Sequence, residues 1–398
     1  MRQRLLLVLA VTALHGAIAV VATSSVFFRI NVATAQRVFG GSNGEKNLYE
    51  DVHAYHDYAS GLMRGSVPYR DYPVEYPIAA FPLFLVPRLF AAGLDAFRWA
   101  FALEMLAFDA LLVWLVANRA ERTVGVARGL TWYSLGLAAL GGLPIARFDV
   151  APTALAFASA LAWEAGRSGV GGVLAGVGGL MKLFPAVVAG PGFLSGRGSL
   201  RGMIAFGLTC LFGAIGWWAL GGAGVAASMR YHAGRGLEIE SLYAGLLIVF
   251  AKFAGMPISH DFNHSSVELI TPGAAPIATV ALAIQLGAIG LVLWRFRRCG
   301  RHDLPRFAGA CILAFAVFGK VLSPQYVLWV LPFVATLGGR SGRWARPIVL
   351  AACVATSLVY FWAGVGVLMF HPLAVGLLNV RNALLVGLLG LMIWERSS

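Results

Sequence analysis

The sequence predicts an all-α, polytopic membrane protein of about twelve transmembrane helices (range about 10 to 13) with a large first outer loop. Hydrophobic residues make up 59% of the chain and charged residues only 12%. A soluble domain with so few charges could not cover its own surface, so hydrocarbon is the solvent for most of it. Apolar runs at Leu5–Phe28, Phe101–Ala117, Ala274–Trp294, Ile348–Met369 and Pro372–Trp394 reach or approach the ~20 residues that cross a ~30 Å core. Between such runs the arginines gather in short loops: Arg119, Arg122 and Arg128; Arg197 and Arg201; Arg295, Arg297, Arg298, Arg301 and Arg306; Arg340, Arg343 and Arg346. Extended alternation of polar and apolar residues is absent, which argues against a β-barrel.

The net charge of +13 therefore reports orientation, with both termini cytoplasmic, rather than a nucleic-acid partner. Met1-Arg-Gln-Arg before Leu5–Ala22 has the charge of a signal peptide. More membrane follows, however, so a retained first helix fits better. Cys210, Cys311 and Cys353 sit in apolar spans and Cys299 in a basic loop. They read as small hydrophobes, not a disulfide framework.

With the basic loops inside, residues 29–97 form the first extracytoplasmic loop, and 1–398 reads as a single membrane domain. That loop holds Glu45, Glu50, Asp51, Asp57, Asp71 and Glu75, a third of the 18 acidic residues. Its apolar stretch Tyr76–Gly93 is interrupted by Pro77, Pro82 and Pro87. It is expected to be an interfacial or re-entrant helix, because a crossing there would put the Arg119–Arg128 loop outside. Spans follow near 98–117, 129–145 and 150–166. Residues 170–194 predict a pair of half-helices broken at Lys182-Leu-Phe-Pro185, each too short to cross alone and suited to lining a cavity. A span at 202–221 leads to an outer loop, Arg230–Glu240, then an apolar stretch at 242–254 and a polar loop, His260–Thr271. Spans near 273–294, 307–321, 324–338, 347–369 and 373–394 complete the chain, with no internal repeat.

Asp51, Tyr55, Tyr58 and Leu62 recur on one face of a helix. A carboxylate there suits a general base. It equally suits a solvated acid paired with Arg64 or Arg70. The stretch from Gly65 to Pro77, with Tyr69, Asp71, Glu75 and Tyr76, alternates aromatics with prolines and charges. It would be stiff enough to line a sugar site or to anchor at the interface. Arg147, His232, Arg235, Lys320 and Arg381 map to outer ends of spans, and Lys182 to the broken hairpin. A phosphodiester would match several of them. Snorkelling or ion pairing, such as Arg147 with Asp149, is the alternative. The eight histidines show no metal-ligand spacing, so neither metal nor cofactor is expected. No P-loop or dinucleotide fingerprint occurs, so an activated donor would not be a nucleotide.

Asp51-x-x-x-Tyr55 followed by Gly65-x-x-Pro-Tyr-Arg-Asp-x-x-Val-Glu-Tyr-Pro77 resembles the first-loop signature of bacterial glycosyltransferase family 87, of the GT-C membrane glycosyltransferases. The likeness continues through Arg147-Phe-Asp149, Lys182-Leu-Phe-Pro185, Arg235-Gly-Leu-Glu-Ile-Glu-Ser241, Ser323-Pro-Gln-Tyr326 and Val380-Arg-Asn382. These stretches are collinear and cover most of the chain. The chain departs at Glu75-Tyr-Pro-Ile78, where many family members carry a second proline. The resemblance implies transfer of a sugar, commonly mannose, from a polyprenyl-phosphate donor to a lipid or glycan acceptor at the outer face of the cell membrane, with inversion. It implies Asp51 as base, with Asp57 and Asp71 as the alternatives. Lys182, Arg235, His232 and Arg147 would meet the donor phosphate, and Tyr55, Tyr69, Asp71, Glu75, Tyr76 and Gln325 the sugar or acceptor. A transporter or lipid flippase is the competing class, and would call for paired repeats and midplane ionisable groups.

Overall fold

Helix supplies nearly all the regular structure in the computed structural model of the chain, which describes residues 2–24, 33–39, 48–196, 198–299 and 303–394. Glu45 of the acidic first loop and Arg197 and Arg301 of the basic loops lie outside the described residues. Among the described residues six helices are long and apolar enough to cross a membrane: Gln3–Ala22, Leu94–Glu121, Ser199–Gly221, Ala274–Arg298, Gly339–Leu368 and Pro372–Trp394. Shorter apolar helices include Ser168–Met181 and Phe184–Leu194, the two expected half-helices, together with Leu242–Phe253, Leu304–Val317 and Pro324–Ala335, and Ile78–Phe90 in the first loop; the expected spans near 129–145 and 150–166 are the helices Val126–Ala139 and Val150–Glu164. The chain is thus an all-α membrane protein, with six helices of spanning length among the described residues.

Its two ends differ in chemistry. At one, Arg119 closes the Leu94–Glu121 helix and pairs with Glu164 at 2.6 Å and Asp303 at 3.2 Å. Glu164 ends Val150–Glu164 and Asp303 precedes Leu304–Val317. At the other end lie the start of Leu94–Glu121, the segment before Val150, and the break after Met181. The helix Glu50–Met63 of the first loop packs there against Phe81–Phe90 and Leu94–Glu121.

The break at Lys182 has the form its sequence implied. Lys182 takes extended backbone after Ser168–Met181, and the chain resumes as a 3-10 turn, Phe184–Val188, then Ala189–Leu194. The two halves fold back closely: a Cβ on Gly178 would meet Pro185 at 2.7 Å, and one on Gly179 would meet Ala186 at 2.9 Å. The same glycine-rich helix also receives Ser199–Gly221, whose Leu200, Leu208, Leu211, Phe212 and Trp218 face outward. That seam lets backbones approach where hydrocarbon supplies no drive for apolar contact. A Cβ on Gly172 would run into the carbonyl of Gly202, and one on Gly176 would meet Thr209 at 2.8 Å.

One hairpin, Ser259–Asn263 paired with Ser266–Ile270, interrupts the helices. Its second strand extends onto the 237–239 segment through Ile239 N–H to Val267 carbonyl (2.9 Å) and Leu269 N–H to Leu237 carbonyl (2.8 Å).

Because a Cβ at Gly172 would meet a helix backbone carbonyl that cannot swing aside, Gly172→Ala is expected to destabilise the detergent-solubilised protein by roughly 1–3 kcal/mol. Gly207 of the same seam helix faces open space, so Gly207→Ala should leave the melting temperature unchanged or raised. Equal melting of the two variants would refute the seam.

Candidate active site

A cluster of rings organises the end opposite Arg119. Tyr55, one turn after Asp51, stacks on Phe84 with centroids 4.4 Å apart and meets Tyr76 and Phe148 edge-on at 5.5 and 5.7 Å. Tyr76 meets Phe148 at 5.2 Å. Each ring has a charged neighbour in sequence or one turn away. Glu75 precedes Tyr76, Arg147 and Asp149 flank Phe148, and Asp51 precedes Tyr55 on its helix. Packing the rings therefore sets the charges around them.

Three ion pairs result. Asp51 Oδ2 lies 2.8 Å from Arg147 Nε, with the arginine side chain 7% exposed and the aspartate 31%. Arg147 Nη1 donates to the carbonyls of Leu48 (2.6 Å) and Ala146 (3.0 Å), and Nη2 to the Tyr360 hydroxyl (3.2 Å). Burial works against the Arg147 charge, and Asp51 together with the Tyr360, Tyr55 and Tyr76 phenols more than offsets it, so the guanidinium is held charged. Burial, followed by the Asp51 charge, pushes the Tyr55 and Tyr76 phenols well above their ordinary value.

The second pair is Lys182 on Asp149. Nζ donates to both carboxylate oxygens at 2.8 and 2.9 Å, and Trp329 Nε1 donates to Oδ1 at 2.6 Å. Asp149 is fully buried. The ammonium sits over the faces of Phe148 (4.8 Å), Trp329 (5.6 Å) and Tyr326 (5.7 Å), where ring quadrupoles favour a cation.

The third is Arg235 on Glu75, at 3.3 Å. Glu75 also accepts from Tyr231 (3.0 Å) and from Ser265 at the tip of the hairpin, and its carbonyl meets His232 Nε2 at 2.6 Å. Arg235 donates to the His264 carbonyl at 2.8 Å. His264 and Ser265 both take positive φ (50° and 51°), so the tip of a strained turn is fastened over this pair. Desolvation, then the charge of Arg235, holds His232 below the ordinary histidine value against the pull of the Glu75 carbonyl. At neutral pH it contributes a polar ring, not a cation.

Several expected residues stand differently. Asp51 pairs with Arg147, not with Arg64 or Arg70, and Arg147 does not pair with Asp149. Tyr55 is 1% exposed and acts as a wall of the cluster. Tyr69 is buried against Trp217 and Phe81, and joins the cluster through its hydroxyl on the Tyr76 carbonyl (2.6 Å). Asp71 stands apart, closing its own turn on Val67 N–H (2.7 Å) and pairing with Arg70. Gln325 lies half-buried beside Tyr326 with no side-chain hydrogen bond among the described residues. Arg381 does not snorkel: it is fully buried on Glu240 at 2.8 Å and on the Glu240 carbonyl at 2.6 Å. Among the described residues no cluster of His, Cys, Asp and Glu could hold a metal ion.

A model of glycosyltransferase family 87 matches residues 75–324, well over half of the chain. The chain belongs to glycosyltransferase family 87. It is a membrane glycosyltransferase, and family membership favours that class over the transporter or flippase alternative. No curated protein matches the chain significantly. The family 87 match contains Glu75, Arg147, Asp149, Lys182, His232 and Arg235, while Asp51 lies before it and Arg381 beyond it.

Two further acids stand at this end of the bundle, within the stretch Arg235–Ser241. Glu238 and Glu240 are two residues apart, and both are tied inward. Glu238 accepts from Leu322 N–H at 2.5 Å and Ser323 Oγ at 3.4 Å, and Lys320 donates to the Ala233 and Arg235 carbonyls at 2.9 and 2.6 Å. These bonds dock the 320–323 segment against 233–240. Burial, then the charge of Glu240, raises Glu238 to about 7, against the pull of Leu322 N–H and two arginines.

A carboxyl raised on folding adds stability that is complete below its unfolded value near 4.5 and lost as pH rises through about 7. Glu238→Gln keeps the acceptor and removes the titration. Melts from pH 4.5 to 7.5 should show the substitution flattening a decline present in the wild type. Parallel curves would mean that Glu238 titrates normally.

Proposed function

We propose that the chain moves a sugar, mannose in the first instance, from a polyprenyl-phosphate donor to a hydroxyl of a lipid or glycan acceptor, in the manner of GT-C enzymes, at the extracytoplasmic face of the cell membrane. The observation that carries this reading is the asymmetry of the Asp51–Arg147 pair: the cation is buried and the carboxylate is partly open. An acid held in place from behind, with a free face in front, is what a general base needs.

Asp51 takes the proton of the acceptor hydroxyl as its oxygen attacks the anomeric carbon. The bond from that carbon to the phosphate oxygen breaks, and the lipid phosphate leaves with the electron pair. In-line displacement inverts the centre, so a β-linked donor gives an α-linked product. Negative charge grows on the phosphate, where preorganised cations stabilise it. Lys182, with its side chain 18% exposed, and Arg235, at 15%, are the cations for that role. His232 adds a neutral ring, and Arg147 serves Asp51 instead. Glu75, Tyr76 and Gln325 face the sugar or acceptor, while Tyr55, Tyr69 and Asp71 support that surface. Lipid-linked substrates fit a chain with no nucleotide motif, and the chemistry needs no cofactor.

Transfer of radiolabelled mannose from polyprenyl-phosphate-mannose into membrane lipids tests the base directly. Asp51→Asn should lose about 10²-fold or more in rate while still inserting and eluting as folded protein. An unchanged rate would remove Asp51 from the mechanism and leave the transferase assignment standing.

Lys182→Gln should raise the donor KM more than the acceptor KM, because the lost charge faces only the donor. A selective rise in acceptor KM would place the phosphate elsewhere.

A further inference from the structure

The span Gly339–Leu368 is not α-helical throughout. Leu358–Ala363 forms a π-helical turn between Gly339–Ser357 and Gly364–Leu368. Such a turn admits an extra residue, rotates the side chains that follow, and persists only where local packing holds it. Consecutive rings do so here. Trp362 meets Phe39 edge-on at 5.0 Å, Phe361 lies over Gly141, and at the start of the turn Ser357 Oγ donates to the Ala139 carbonyl at 2.5 Å. Tyr360 turns the other way. It is 7% exposed, and its hydroxyl accepts from Arg147 Nη2 at 3.2 Å.

The guanidinium is planar, so fixing its terminal nitrogens fixes the direction of Nε. Leu48 and Ala146 carbonyls hold Nη1, Tyr360 holds Nη2, and Nε meets Asp51. Without the phenol, Nη2 loses the hydrogen bond that Tyr360 accepts at 3.2 Å. We propose that Tyr360, aimed by the π-helical turn, is a positioning residue that orients Arg147 and through it the Asp51 carboxylate. This rests on the reading of Asp51 as the base. Tyr360 lies beyond the residues matched to the family, and nothing in its sequence neighbourhood marks it out from the aromatic residues beside it.

The test compares wild type, Tyr360→Phe, Arg147→Lys and the double variant in transfer from radiolabelled polyprenyl-phosphate-mannose. Phenylalanine keeps the ring and so the turn. Tyr360→Phe should lower kcat about ten-fold, the effect of losing one hydrogen bond to a charged group, with the donor KM within about two-fold of wild type. In the Arg147→Lys background, which has no Nη2, the same substitution should change nothing further. Wild-type kcat in Tyr360→Phe, or equal losses in both backgrounds, would overturn the proposal. If Arg147→Lys does not fold, Phe361→Leu serves instead: it loosens the turn that aims Tyr360 without touching Arg147. It should lower kcat in the wild-type background and change kcat no further in Tyr360→Phe, where the phenol is already gone. Equal kcat losses in both backgrounds would reduce Tyr360 to packing. Full activity in Asp51→Asn sinks the base reading whatever Tyr360 does. An inactive Asp51→Asn beside a fully active Tyr360→Phe sinks the present proposal alone.

Discussion

A cation at membrane depth must be matched by an anion or expelled, and the arrangement at this end of the bundle follows from that requirement. Removing one partner of a buried ion pair typically costs roughly 3–5 kcal/mol, because the other charge is then left unpaired in a poor solvent. Arg147, Lys182, Arg235 and Arg381 therefore sit on Asp51, Asp149, Glu75 and Glu240. The partners come from segments far apart in sequence, so each pair also joins two parts of the chain. Asp51 ties the first loop to the segment before Val150, Glu75 ties it to the segment after Gly234, and Glu240 ties that segment to the last span. The rings of Tyr55, Tyr76, Phe84 and Phe148 fill the space between and set the spacing.

Fold class was open in the sequence because it depends on composition and run length, which neighbours do not alter. The number of spanning-length helices was not, because length in a run of apolar letters differs from length in a helix. Leu304–Val317 and Pro324–Ala335 are apolar enough to cross, but the chain breaks at Gly319–Ser323 to bring Lys320 and Leu322 against the 233–240 segment. Proline and glycine marked the break at Lys182 because there the local chemistry itself forbids a helix. The π-helical turn left no such mark: Leu358–Ala363 holds neither proline nor glycine, and its tertiary packing inserts the extra residue.

The site was legible as a set of residues and illegible as a set of pairs. Asp51, Arg147, Lys182 and Arg235 were recognisable as charged groups in apolar or membrane-edge surroundings. Which acid meets which base depends on the angles between helices. Arg147 and Asp149 are two residues apart, an obvious couple on paper, yet the buried Phe148 between them turns each to a different partner. The network of His15, Asp109, Tyr133 and Ser134, with bonds of 2.6 to 2.8 Å inside the spans, escaped notice for the same reason. Each member looked like a solitary polar residue in an apolar run.

The matching of Arg147, Lys182 and Arg235 each to its own carboxylate bears on selectivity and turnover. On the proposed function, a phosphodiester reaching Lys182 or Arg235 would not enter an empty positive hollow. It would compete with Asp149 and Glu75 for the same charges, so affinity would be a difference between two anions and stay modest. Passing anionic lipids that offer only charge would gain little by displacing a carboxylate already in good geometry. A donor whose sugar also met the ring of Tyr76 or Tyr326 would gain more, and once that sugar was gone the resident carboxylate would reclaim the cation and hasten departure of the spent carrier.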